Sequence, residues 1–199
     1  MKHPLHIALD NKEIILASQS PRRKLLLGGI DIDFKVIVKD GIDESFPEDL
    51  SKTEIPEFLS KKKASAYKGD LNADTILITS DTIVWHKNEV LGKPESHQHA
   101  VEILKRLSGN MHEVVTGVAL TSSEKQRVFH SVTKVWIRDI SDEEILYYLD
   151  KYKPMDKAGA YGIQEWIGYV AVEQIEGSFH NVMGLPIQML YKELFAFVQ

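Results

Sequence analysis

The sequence predicts an α/β fold: a mixed, twisted sheet with flanking helices. Two observations predict it. Through the first half, short apolar runs of strand length alternate with stretches of helical period, and from His112 two strand-like runs follow one another directly. The chain has 199 residues, 43% of them hydrophobic, enough for one large domain or two small lobes around a core. No internal repeat, low-complexity tract or interdomain linker stands out, so residues 1–199 are expected to form one domain, with 1–12 a short leader.

The elements follow in order. Ile14 to Ala17 reads as a buried strand. Ser20 is a good N-cap and Pro21 a good first helical residue, so a short helix runs through Leu25-Leu26-Leu27 and stops at Gly28-Gly29. Phe34 to Val38 alternates with lysines and reads as a strand, and Asp40 to Asp49 is an acidic loop. Glu54 to Tyr67 is expected to be a helix with Ile55, Phe58, Leu59 and Ala66 on one face and Lys61-Lys62-Lys63 near its middle. Thr75 to Trp85 is a strongly apolar strand, Leu91 to Pro94 a turn, and His97 to Leu107 an amphipathic helix ended by Ser108-Gly109. His112 to Thr121 and Val128 to Arg138 read as strands. Ser141-Asp142-Glu143-Glu144 is a capping box opening a helix to about Lys151. Asp156 to Gln164 is a loop rich in small residues, Ile167 to Ile175 a strand, Gly177 to Pro186 a second polar loop and Ile187 to Phe197 a closing helix.

Composition narrows the function. The formal net charge of −5 argues against wholesale binding of nucleic acid, which needs a basic face. With no cysteine, disulfides, thiolate catalysis and Cys-ligated zinc are excluded. The N-terminal stretch lacks the pattern of a signal peptide, and no run approaches the roughly 18 apolar residues needed to span a membrane. The expectation is a soluble, cytoplasmic protein with no membrane partner.

Several residues could carry chemistry. A strand running into Ser18-Gln19-Ser20-Pro21-Arg22-Arg23 at a helix start offers free N–H groups, a favourable dipole, hydroxyls and two guanidinium forks to an anion. The alternative is an ordinary N-cap with two solvated arginines. It is not a Walker loop. Asp81 interrupts an apolar strand, which is costly unless the carboxylate is paired, hydrogen-bonded, bound to metal or at a solvent edge. Glu44 lies in the acidic loop and could join Asp81 around a magnesium ion, which needs only one or two carboxylates beside phosphates and waters; such a loop can equally be solvated. Lys63 reads either as a solvated helix face or as a phosphate contact. Lys93, fixed between Gly92 and Pro94 on a tight turn, could contact phosphate or simply hold a place in the turn. His97 and His99 read as surface residues and His112 as structural. Gln164 ends the loop from Lys157, where small residues permit close approach and an amide can read a nucleobase edge.

Taken together, six stretches resemble the Maf family of nucleoside triphosphate pyrophosphatases. They are Ser18 to Arg23; Ser80-Asp81-Thr82-Ile83-Val84; Gly92-Lys93-Pro94; Leu107-Ser108-Gly109 with His112 and Thr116-Gly117-Val118; Lys157 to Gln164; and Gly177 to Val182 with Gly184-Leu185-Pro186. They occur in the family's order over about residues 13–197. The resemblance implies a fold shared with inosine triphosphate pyrophosphatases, two lobes around a central cleft, and a divalent cation, Mg2+ or Mn2+. It implies hydrolysis of a nucleoside triphosphate to monophosphate and diphosphate, a house-cleaning of the nucleotide pool. By matching motif, Asp81 is the proton acceptor and a metal ligand, Glu44 the second metal ligand, and Lys63 and Lys93 bind substrate. Ser18, Ser20 and Arg23 line the phosphates. Arg22, Thr82 and Gln164 take the specificity positions of the dTTP/UTP branch, whose loop is similar to residues 158–164. A homodimer is a further implication of the family.

There are two departures: Ser80 stands where alanine is usual, and Glu165-Trp166 follow Gln164 where glycine is common. Two other functions remain open: a nucleotide-binding regulator of cell division without turnover, and a pyrophosphatase for modified or purine nucleotides.

Overall fold

The computed structural model describes residues 2–199. In chain order the elements are α1 (Pro4–Ala8), β1 (Glu13–Leu16), α2 (Pro21–Gly28), β2 (Lys35–Val36), α3 (Glu54–Ser65), β3 (Thr75–His86), β4 (Glu89–Leu91), α4 (His97–Leu107), β5 (Met111–Thr121), β6 (Gln126–Ile137), α5 (Asp142–Tyr152), α6 (Trp166–Ala171), β7 (Val172–Glu176), α7 (Phe179–Val182) and α8 (Ile187–Val198). The strands form one mixed sheet in the order β2-β1-β3-β5-β6-β7, with β4 paired to β3. β1 runs parallel to β2 and β3, while β4 and β7 are antiparallel to their partners. The predicted α/β class with a mixed sheet and flanking helices is what the chain adopts.

The chain divides into two compact units, one of residues 1–81, 116–131 and 184–199, the other of 82–115 and 132–183. In the first unit, Leu16, Leu27, Leu77, Ile78, Leu120, Leu190 and Leu194 are fully buried. Its helix α1 packs against α8 and sinks Leu5 completely, so the stretch read as a leader contains a docked helix. On α3 the buried face is Ile55, Leu59 and Ala64, whereas Ala66, expected on that face, is the exposed C-cap. Gly117 lets α3 lie directly on β5: a Cβ there would stand 2.3 Å from the Pro56 carbonyl carbon.

In the second unit α4 packs against α5, with Leu104, Leu107, Val135 and Tyr148 fully buried. The capping box is present: the Ser141 hydroxyl accepts from Glu144 N–H, and the Glu144 carboxylate accepts from Ser141 N–H.

Three readings need correction. β2 has two residues rather than the five from Phe34 to Val38, because the Tyr67 hydroxyl takes over the next backbone groups. It accepts from Lys39 N–H at 2.8 Å and donates to the Ile37 carbonyl at 3.2 Å. A β3–β4 hairpin precedes the turn at Leu91 to Pro94; Lys87 and Asn88, at φ 48° and 66°, form its two-residue left-handed corner. Finally, Ile167 to Ile175 is not all strand. It is the helix α6 followed by β7, whose ladder with β6 starts only at Val172 opposite Ile137.

Candidate active site

β1 delivers the chain to Ser18, whose hydroxyl accepts from Ser20 N–H at 3.2 Å. Ser20 caps the eight-residue helix α2, and Pro21 occupies its first position. Arg23 turns back from α2. Its Nε donates to the Gly184 carbonyl and its Nη1 to the Ser80 carbonyl, each at 2.8 Å, with a long contact from Nη1 to the Ser18 hydroxyl at 3.5 Å. The arginine therefore straps three segments of the first unit together: the cap loop, the middle of β3 and the start of the C-terminal segment. Burial lowers the Arg23 pKa, the Asp81 and Glu44 charges oppose that, and Arg22 adds to it. Arg22 itself is half-buried.

Beside this strap lies a tight ionic cluster. Lys63, in the last turn of α3, places Nζ 2.5 Å from Asp81 Oδ1 and 2.8 Å from Glu44 Oε1. The Lys63 and Asp81 side chains are only 15% and 13% exposed, and Glu44 is 49% exposed. Two carboxylates thus converge on one ammonium midway along an apolar strand, which resolves the cost of Asp81 in that strand. Neighbouring Lys62 pins the acidic loop, donating to Asp43 Oδ2 at 2.7 Å and to the Ser45 carbonyl at 2.8 Å. Lys62 and Ser45 hold the Asp43 carboxyl well below its usual range. Just before Asp81, the buried Ser80 hydroxyl has no hydrogen-bond partner.

The second unit carries the remaining sequence-predicted residues. Thr82 is half-buried and Lys93 exposed. The Gly92 carbonyl accepts from Gly159 N–H at 3.1 Å, tying the lysine turn to the loop of small residues. Within that loop four groups close a ring that the sequence reading did not foresee. Lys157, buried, places Nζ 3.2 Å from Glu165 Oε1. The Tyr148 hydroxyl donates to Glu165 Oε2 and accepts from Gly162 N–H, the latter at 2.9 Å. Burial, and then Glu165, push the Tyr148 pKa up, so its hydroxyl stays protonated. Gln164 Oε1, at the end of this loop, is buried without a partner. Trp166 packs edge-on against Tyr147 of α5, ring centroids 4.9 Å apart. His112 is structural, as expected: Nε2 lies 2.7 Å from the Tyr161 hydroxyl in a buried pair.

The residues in hand suit a hard cation rather than a soft one. Among the described residues no group of three or more His, Cys, Asp or Glu gathers to hold a metal ion alone. Glu44 and Asp81, both brought to a single cationic nitrogen, are the carboxylate oxygens here that could hold a hard divalent cation.

A family model described as Maf-like protein matches residues 13–197. This chain belongs to the Maf family. Its relatives include the dTTP/UTP pyrophosphatase of Bacteroides thetaiotaomicron, 55% identical over 186 residues, covering 94% of this chain and 96% of that protein. The dTTP/UTP pyrophosphatase of Parabacteroides distasonis is 53% identical with the same coverage. Among solved structures, the nucleoside-triphosphatase / dITP/XTP pyrophosphatase of Mycobacterium abscessus is similar over 64% of this Maf chain and 75% of that one, at a TM-score of 0.43 and 14% identity. Among the described residues no helix is long and apolar enough to cross a membrane.

Proposed function

We propose that this Maf chain hydrolyses nucleoside triphosphates between the α and β phosphates, with dTTP and UTP as its substrates, releasing the monophosphate and diphosphate. The relatives that carry this activity in their names match nearly the whole chain. The observation that carries the assignment within the molecule is the convergence of Asp81 and Glu44 on Lys63, beside the N-terminus of α2.

The roles follow from chemistry. The α2 N-terminus, the Ser18 and Ser20 hydroxyls, Lys63 and Lys93 meet phosphate oxygens, while Arg22 keeps a specificity role. Arg23, whose fork engages the Ser80 and Gly184 carbonyls, orients the stretch of β3 just before Asp81 and adds positive field. Asp81 accepts the proton of a water that attacks the α-phosphorus, and diphosphate departs with its charge met by Lys63. A divalent cation, Mg2+ or Mn2+, held by Glu44 and Asp81, supplies neutralisation of phosphate charge when bound. Gln164 and Thr82 read the base.

The test is diphosphate release from dTTP, UTP, dCTP, ATP, GTP and ITP, with magnesium and with chelator. Chelator-sensitive cleavage of dTTP and UTP, with little from ATP or GTP, is expected. A well-folded sample that turns over none of them overturns the reading, and preference for ITP moves the substrate to damaged purines.

A further inference from the structure

The ring around Gln164 has no role in the chemistry above, and it is expensive. It buries a lysine, a tyrosine whose ring is fully enclosed, and a carboxylate whose side chain is 18% exposed, all to fix one short loop. Each member is spoken for. Lys157 also pairs with Asp156 Oδ1 at 2.9 Å. The Tyr148 hydroxyl spends its proton on Glu165 and a lone pair on Gly162 N–H. Gly162 leaves no room for movement: a Cβ there would lie 2.8 Å from Glu165 Cδ and 3.1 Å from Gln164 Nε2. The loop is thereby tied on both sides of Gln164, at Gly162 N–H before it and at the Glu165 carboxylate after it. Gln164 Oε1 meanwhile sits buried with no donor, a state that costs free energy until a donor arrives.

Resting on the pyrophosphatase reading and on Gln164 as the base reader, we infer that Glu165 is a positioning residue for base selection. Acting through Lys157 and the Tyr148 hydroxyl, it holds the Gln164 amide where a turn of the side chain presents its oxygen to an N–H donor on the ligand. Uracil and thymine carry such a donor at N3. Cytosine carries an acceptor there and leaves the oxygen unpaired, so the ring sharpens the choice of dTTP over dCTP.

The experiment compares kcat and KM for dTTP and dCTP in the wild type, Glu165→Gln, Tyr148→Phe, Gln164→Ala and the Glu165→Gln/Gln164→Ala double variant, each checked for folding by thermal unfolding. Glu165→Gln and Tyr148→Phe are expected to lower the dTTP-over-dCTP ratio of kcat/KM by about 10-fold, mainly through KM for dTTP, with kcat nearly kept. In the Gln164→Ala background Glu165→Gln is expected to change the ratio no further. An unchanged ratio in folded Glu165→Gln and Tyr148→Phe, or an equal change with and without Gln164, overturns the inference. Tyr148→Phe keeps the buried ring and decides the matter if Glu165→Gln does not fold. Failure of the wild type to cleave any triphosphate is a different result, and overturns the pyrophosphatase reading itself.

Discussion

Asp81 and Lys63 form a pair in which each needs the other when substrate is absent. Replacing Asp81 by Asn keeps the shape and removes the proposed proton acceptor; diphosphate release is expected to fall at least ~100-fold with the fold retained, measured by turnover and circular dichroism. Ser80 offers the opposite case. Its buried hydroxyl bonds to nothing, so Ser80→Ala is expected to leave activity intact and to raise stability by about 1 kcal/mol or not at all, read from urea unfolding. Asp81 was legible in the sequence because a carboxylate in an apolar run demands an explanation. Lys63 was not separable from Lys61 and Lys62 by pattern alone; the family resemblance, not the spacing, singled it out. Only the fold directs one of them to Asp81 and another to Asp43. The ring of Lys157, Glu165 and Tyr148 escaped for the same reason: its members lie on a helix and a loop whose meeting no spacing announces.

At the level of elements, caps and glycines were the readable signals. Ser20-Pro21 and Ser141 with Glu144 fixed helix starts to the residue. Propensity misled where a tertiary contact decided. Ile167-Gly168-Tyr169-Val170 has the composition of a strand, yet it is helical because Gly168 sits against the Ile163 carbonyl, where a Cβ would lie 1.7 Å from the oxygen. Gly168→Ala is therefore expected to force α6 away from the loop that carries Gln164. A loss of several kcal/mol in stability and a rise in KM for dTTP are expected, checked by unfolding and kinetics. The β3–β4 hairpin was missed because Lys87-Asn88 lacks the Asn-Gly signature of such corners.

For the whole molecule, pH is the sharpest lever. Burial pushes the His112 pKa from 6.5 down to about 3, with the nearby His86 adding to the effect. The unfolded chain binds a proton there below about pH 6.5 that the folded chain refuses, so stability is complete above that value and declines as pH falls toward 3. The loss is on the order of a few kcal/mol. Glu144, held down at about 2 by Arg138 and the Ser141 N–H, acts in the same direction below the usual carboxylate range. Urea midpoints are expected to drop steadily between pH 7 and 5; a flat midpoint over that range would show that His112 accepts its proton without unfolding.

The interleaving of the two units bears on how the chain is made. The first unit is complete only with residues 184–199, and α1 has its partner in α8. At about 5–20 residues per second of ribosomal synthesis, Leu5 must wait roughly ten seconds or longer for the surface that buries it. During that interval the nascent chain exposes an apolar helix and an unfinished sheet. The first unit therefore closes only after residues 184–199 have been made.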